Sequence, residues 1–321
     1  MDKTVIVLGG LLAPEGFSLL VEAGATVVTT EPYIDRQAVI DIMKAHKPDA
    51  VIIRLLADKL GPEEMKAGGR LKHIAKHGVG TNDIDVAAAA ALGIPVSMTT
   101  GSNGHSVAEH ALAMIMTLAK DLPRQDALIR DGVWDKNQYQ GRELRGQTLG
   151  IVGFGFIGQT LAKMAGAIGM EIIAFDPHTP ESAFNSGVRR ETDLDALLAS
   201  SDVVSLHCPL TPETNKLIDA RRIGLMKRGS LLINTARGEV VDEAALVRAL
   251  QDGYLAGAGL DSFEQEPPGA DNPLFQLPNT LVSPHVAGVT VDAKRAVSVM
   301  AARNVLDALD GKVLEARFLA R

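Results

Sequence analysis

Cysteine is nearly missing from this chain: Cys208 is the only one among 321 residues. No intrachain disulfide can form and no cysteine-rich metal site can be built, so the fold must rest on a hydrophobic core, and a reducing compartment suits it. Aromatic residues are few, at 4%, with Trp134 the single tryptophan. Positive charge is in deficit, the 32 Lys and Arg against 39 Asp and Glu leaving −7. Nucleic acid and anionic membranes are bound through a basic stripe that neutralises phosphates, and the sequence carries none. Long apolar runs are missing too. The longest apolar helical stretch, 110–119, is about half of the roughly 20 residues a membrane span needs. Met1-Asp2-Lys3 leads straight into a short apolar strand at 4–8, without the apolar segment and cleavage site of a signal peptide. A soluble, cytoplasmic protein is expected.

What is abundant is glycine, with 31 residues, and hydrophobic side chains, at 46%. With only 22% charged residues, this composition suits an α/β fold rich in tight strand-to-helix turns, not a coiled coil or a disordered chain. The length exceeds one ordinary domain, so two are expected. Short β-branched runs at 4–8, 26–29, 50–53, 71–75 and 94–97 alternate with helical stretches, the pattern of parallel βαβ units. A long helix follows from a cap at Ser106 with Glu109 three residues on, showing Leu112, Ile115, Met116 and Ala119 on one face. Residues 121–146 are polar and form either a solvent-facing loop or an arm toward a partner subunit. Near-continuous apolar strands then run at 148–152, 171–175, 202–206, 230–233, 255–260 and 280–283, as expected for a second parallel sheet covered on both faces. The last helix, 290–309, finds no strand left to join and is expected to return to the first domain. The predicted architecture is α/β with two doubly wound parallel-sheet domains, a discontinuous one of 1–100 and 288–321 and a second of 101–287.

Strand 148–152 is followed at once by Gly153-Phe-Gly155-Phe-Ile-Gly158 and then by a helix. In that context the glycines supply a tight turn, backbone approach to a pyrophosphate and close helix packing, while the helix start offers N–H groups to an anion. The next strand ends in Asp176, 23 residues after Gly153, where a carboxylate accepts the adenosine ribose hydroxyls. No arginine follows Asp176, and its charge repels a 2′-phosphate, so NAD is favoured over NADP. The plainer reading of Asp176 is a cap on the turn after its strand.

Ligands of open parallel sheets bind beyond the carboxyl ends of the strands. Four strands of the second series end in unusual polar groups: His207-Cys-Pro-Leu-Thr211, Asn234-Thr-Ala-Arg237-Gly238, Asp261-Ser-Phe-Glu-Gln-Glu266 and Ser283-Pro-His285. An oxidoreductase acting on a 2-oxo acid needs a cation for the carboxylate, a proton donor for the carbonyl oxygen and a group that fixes the donor's tautomer. Arg237 suits the first through its planar fork. His285 suits the second, and Glu266 the third. Taken singly, each has a blander reading: a surface ion pair for Arg237, a loop residue for Glu266, a helix cap for His285. Scattered histidines and one cysteine give no zinc-ligand spacing.

These motifs, with Val241-Asp-Glu-Ala-Ala-Leu246 and Ser283-Pro-His-Val-Ala-Gly288, resemble the D-isomer-specific 2-hydroxyacid dehydrogenase family, and within it the phosphoglycerate dehydrogenases. The resemblance covers nearly the whole chain. It implies a flavodoxin-like substrate domain and a Rossmann NAD-binding domain, with homodimers formed through the latter. It implies a small 2-hydroxy or 2-oxo acid as partner, 3-phosphoglycerate, hydroxypyruvate and glyoxylate leading. It makes His285 the acid/base, Glu266 its partner and Arg237 the substrate-polarising cation. Gly153, Gly155, Phe156, Ile157, Gly158, Asp176, His207, Pro209, Thr214, Thr235, Ala236, Arg237, Asp261, His285 and Gly288 are expected against NAD, Asp261 on the nicotinamide carboxamide. Arg54, Val79, Gly80, Arg237 and His285 are expected against substrate. Two departures stand out. The family's Asp-Asn pair in the glycine loop after residue 78 is exchanged to Asn82-Asp83, and the basic residue near Trp134 is Lys136, followed by neutral Asn137 and Gln138. No regulatory extension of the phosphoglycerate dehydrogenases is expected after residue 321. Glu266 stands against formate dehydrogenase, where a glutamine is expected. The alternative is a non-enzymatic NAD(H)-sensing interaction protein on the same fold.

Overall fold

A computed structural model of the chain describes residues 3–184 and 187–320. It divides into two compact units, Met1–Asn103 with Val289–Arg321, and Gly104–Gly288.

The first unit holds β1 (Lys3–Leu8), β2 (Ala25–Thr29), β3 (Ala50–Ile53), β4 (His73–Lys76) and β5 (Val96–Ser97). All pair in parallel, in the order β2-β1-β3-β4-β5, the flavodoxin-like arrangement. Alternation along β1 shows why the sheet is covered twice. Val5 and Val7 face a cluster with Leu20, Ala301, Ala302 and Val305, while Ile6 and Leu8 face one with Val39, Met43 and Ile74. The helix Val291–Leu309, capped by Thr290 on the Ala293 amide, supplies part of the first cluster. Gly16 lets helix Pro14–Glu22 lie directly on it, since a Cβ there would sit 2.6 Å from the Ser298 backbone. Strand β4 begins at His73, later than the run at 71–75 suggests, its register opening on Ala50 opposite His73, with the Lys72 N–H already on the Asp49 carbonyl.

The second unit holds β6 (Thr148–Val152), β7 (Glu171–Phe175), β8 (Val188–Arg190), β9 (Val203–Leu206), β10 (Leu231–Asn234), β11 (Gly257–Leu260) and β12 (Thr280–Val282). They too are parallel, in the order β12-β11-β10-β9-β6-β7-β8. Only β8 escapes the sequence pattern, for it is three residues long, rich in arginine and at the sheet's edge. One face is covered by helices Gly104–Lys120 and Phe156–Ala167, the other by Leu194–Ser200 and Glu243–Gln251. The first of these helices starts before the Ser106 signal, at Gly104, where the missing side chain admits the Phe156 ring to 2.5 Å from a would-be Cβ. The polar segment after it is partly helical, Leu122–Arg130, and none of that helix is buried. Among the described residues no helix is long and apolar enough to cross a membrane.

Candidate active site

The order of the second sheet reverses at β6, whose neighbours β7 and β9 lead their following segments apart and open a crevice at the carboxyl edge. Gly153 stands at its mouth with φ +92, and a Cβ there would meet Cys208 N and His207 C at 2.6 Å. Only glycine fits both constraints. A Cβ on Gly158 would lie 2.4 Å from the Gly153 carbonyl, so that glycine closes helix onto strand. Gly155 differs. Its backbone is ordinary, φ −74, and a Cβ would meet nothing within 4 Å. Neither strain nor packing in the chain requires glycine there, and the N-terminus of helix Phe156–Ala167 follows directly. Phe156 is well exposed, Ile157 half-buried.

Around the crevice lie buried polar atoms without protein partners: His207 Nδ1 after β9 and Thr235 Oγ1 after β10. The other nitrogen of His207, Nε2, shares a hydrogen bond with Ser205 Oγ at 2.8 Å, and burial pulls the pKa of His207 down to about 4, so the ring is neutral. Thr214 closes the turn from Pro209, its hydroxyl donating to the Pro209 carbonyl at 2.6 Å. Asp176 accepts from Phe154 N–H at 2.8 Å through Oδ2 and from the His178 and Thr179 amides through Oδ1. Burial opposes its charge, but these donors outweigh it and hold the carboxyl below its usual range. It caps its own turn and ties that turn to the glycine loop. Open cradle, unpartnered polar atoms and adjacent carboxylate together fit a dinucleotide.

The ends of β10, β11 and β12 carry the remaining residues. Buried Asn234 closes the turn after β10, accepting from Ala236 N–H at 3.0 Å and donating to the Arg237 carbonyl at 2.8 Å. Gly238 follows because a Cβ would stand 1.8 Å from Phe263 backbone. Arg237, thus presented, is half-buried and uses one N–H on the Ala236 carbonyl at 2.7 Å. His285 Nδ1 lies 2.7 Å from Glu266 Oε2, and Glu266 Oε1 accepts the Phe263 amide at 3.1 Å. Asp261, 1% exposed, accepts from the Ser283 hydroxyl and the amides of Val286 and Ala287. Gly288 is half-buried just beyond.

In the first unit, the carboxyl edge of the sheet is cationic. Arg54, after β3, donates to the Leu11 carbonyl, while its buried Nε has no partner. Buried Lys76 ends β4, bonding the Arg54 carbonyl at 3.2 Å and the Asp83 carboxylate. Burial, the Arg54 charge and Lys76 push His77 down to about 3, so it stays neutral on Ser298 Oγ at 2.8 Å. Thr99 grips Gly78 through both hydroxyl and backbone and so holds the turn that presents Val79 and Gly80. The Asn82-Asp83 exchange now has a physical counterpart, since it puts the carboxylate on Lys76.

Residues 112–287 match the family model for the D-isomer specific 2-hydroxyacid dehydrogenase, NAD binding domain. The chain belongs to this family. A hydroxypyruvate reductase of Thermotoga maritima is 38% identical, over 90% of this chain and 92% of its own length. A D-3-phosphoglycerate dehydrogenase of Archaeoglobus fulgidus is 40% identical over 84% of this chain, which spans only 51% of that relative. The chain thus covers about half of the phosphoglycerate dehydrogenases it matches. The crystal structure of the TT0316 protein from Thermus thermophilus superposes with a TM-score of 0.86 at 34% identity, over 99% of this chain and 100% of that one.

Sequence reasoning missed Asn234, Ser283, Lys76, Thr99 and His110, whose Nε2 lies 2.9 Å from Ser283 Oγ. The first two sit inside quoted motifs, where an uncharged polar residue beside a charged one draws little notice. Lys76 and Thr99 could be found only once the strand ends were placed together.

Proposed function

We propose that this chain is an NAD-dependent oxidoreductase that interconverts a small D-2-hydroxy acid and its 2-oxo acid, with 3-phosphoglycerate, hydroxypyruvate or glyoxylate as leading substrates. The Glu266–His285 pair carries the reading, because a carboxylate on Nδ1 at 2.7 Å leaves Nε2 as the ring's free end. With its Nδ1 proton held by Glu266, His285 transfers a proton only through Nε2, giving it to the carbonyl oxygen in reduction and removing it from the hydroxyl in oxidation. Arg237, whose Nη1 is spent on the Ala236 carbonyl, uses the rest of its guanidinium to grip the substrate carboxylate and polarise the carbonyl. When bound, the nicotinamide supplies a hydride to C2, or takes one from it. We assign the pyrophosphate to the amides of Gly155, Phe156 and Ile157 beside Gly153 and Gly158, and the ribose to Asp176. The rest of the cofactor falls to His207, Pro209, Thr214, Thr235, Ala236, Asp261 and Gly288. Arg54 and the amides of Val79 and Gly80 are our assigned anion contacts in the first unit.

The test is NADH oxidation with glyoxylate, hydroxypyruvate, pyruvate, 2-oxoisocaproate and phosphohydroxypyruvate, each repeated with NADPH. Turnover with NADH on at least one acid is expected. Silence across the panel with tight NADH binding would turn the reading toward an NAD(H) sensor.

We also propose a homodimer through the second unit. Leu122, Ile129, Trp134 and Tyr139 stand 53%, 54%, 76% and 44% exposed on one short segment, and a second copy would cover them. A monomer in sedimentation velocity at micromolar concentration would rule this out.

A further inference from the structure

The turn that carries His285 is gripped by Asp261, and behind Asp261 stand two groups to which the reading above gives no role, Ser283 and His110. His285 sits at φ +53, its amide on the Ser283 carbonyl at 3.0 Å. A residue with a Cβ keeps that conformation only where its surroundings over-determine it. Here Asp261 does so by accepting the two amides that follow, Val286 at 2.9 Å on Oδ1 and Ala287 at 2.8 Å on Oδ2. Ser283 Oγ donates to the same Oδ1 at 2.5 Å. Having spent its proton, that hydroxyl can only accept from His110 Nε2, 2.9 Å away. His110 Nε2 itself is 3.9 Å from Asp261 Oδ1, too far for a direct bond. A single line of donors therefore runs from His110 through Ser283 to Asp261, which holds the turn. Its origin is firm, for helix Gly104–Lys120 buries Val107, Ala108, Ala111, Met114 and Ile115 around His110.

We infer that His110 and Ser283 are positioning residues for His285, fixing the turn from which its imidazole reaches the substrate. The inference rests on the acid/base role proposed for His285. Glu266 restrains the ring at one atom only, so the direction of Nε2 depends on where the backbone of 284–287 stands. A displacement of about 1 Å in such a group costs roughly 100-fold in rate. Neither His110 nor Ser283 touches the reacting atoms in this account.

The experiment compares Ser283→Ala with Ser283→Thr, and His110→Ala with His110→Gln, in the full chain on whichever 2-oxo acid the wild type reduces. S283A and H110A should lower kcat by roughly 10- to 100-fold, while NADH affinity by fluorescence titration stays within about twofold of wild type. The isotope effect on kcat from NADH deuterated at the transferred position should rise, because a misplaced acid slows the chemical step and not product release. S283T keeps the hydroxyl and H110Q keeps an N–H donor, so both should recover most of the loss. Should S283A fail to fold, the His110 pair carries the comparison alone. The inference is overturned by wild-type kcat in the alanine variants, or by kcat and NADH affinity falling together with no change in isotope effect and no rescue. A wild type silent on every acid would instead bring down the functional reading beneath it, and the two failures are thereby distinct.

Discussion

The two units open with nearly the same turn, and only one leaves room for a ligand. Gly9 follows β1 at φ +93 and Gly153 follows β6 at φ +92. A Cβ on either would strike the backbone leaving the neighbouring strand, Leu55 O at 2.2 Å in one unit and Cys208 N at 2.6 Å in the other. Beyond that first glycine they part. A Cβ on Gly10 would meet Arg54 Nη1 at 2.9 Å, and Gly16 is occupied by Ser298 of the C-terminal helix. The Ala13 amide is spent on Ser298 Oγ, and Pro14 has no N–H to offer. At Gly155 there is nothing within 4 Å, and the helix starts at the next residue. A glycine turn between strand and helix is thus a property of the fold. What sets one of them apart as the proposed nucleotide cradle is that a side chain at Gly155 would find open space there.

The largest expected effect lies on the open side. His285→Ala should lower turnover by about 10²- to 10⁴-fold, the range for a positioned acid/base, with NADH affinity retained, as steady-state kinetics and fluorescence titration would show. Wild-type turnover would remove His285 from the chemistry and leave the crevice as a binding site alone. The next pair breaks the comparison at its root. Gly9→Ala must take both the positive φ and the Leu55 carbonyl, so thermal unfolding should reveal a loss on the order of 3 kcal/mol. Gly155→Ser places its Cβ in open space and supplies a better helix cap. Its melting temperature should hold while NADH affinity drops roughly 10- to 100-fold, as for a pyrophosphate contact worth one hydrogen bond to a charged group. Unchanged affinity in G155S would mean that the empty space at Gly155 is not the cradle.

Much of this difference was legible in the residues, and the part that was not has a physical cause. Strand periodicity, the glycine spacing and Asp176 mark the second unit's turn, because each is a short-range pattern with one steric reason. The ends of β10, β11 and β12 announce Arg237, Glu266 and His285 by charge. The plugging of the first turn leaves no such trace, since Arg54 arrives from β3 and Ser298 lies 282 positions after Gly16. Asp176 shows the opposite limit. Its ribose assignment and its capping role look like rivals, yet the carboxylate that would read the ribose also holds two amides of its own turn and one of the glycine loop. Short β8 was lost because three residues at an edge carry no period.

A smaller effect sharpens the contrast through the neutral histidines each unit buries. His73 and His77 in the first unit are pulled to about 4 and about 3, and His207 in the second to about 4, by burial in each case and also by the Arg54 charge at His77. The unfolded chain returns each to about 6.5. Between 6.5 and the depressed values the unfolded state binds protons that the native state refuses, so stability falls as pH falls, by at most about 1.4 kcal/mol per unit for each histidine. Below about 3 the native rings protonate as well and the slope ends. Carboxylates titrate in the same window, so the wild-type curve alone cannot assign it. His77→Gln should flatten the limb between pH 6 and 4 by up to one proton's worth, read from urea midpoints at three pH values. Because His77 bonds Ser298 on the helix that fills the first turn, an unaltered limb in that variant would mean the filled turn contributes no part of the acid sensitivity.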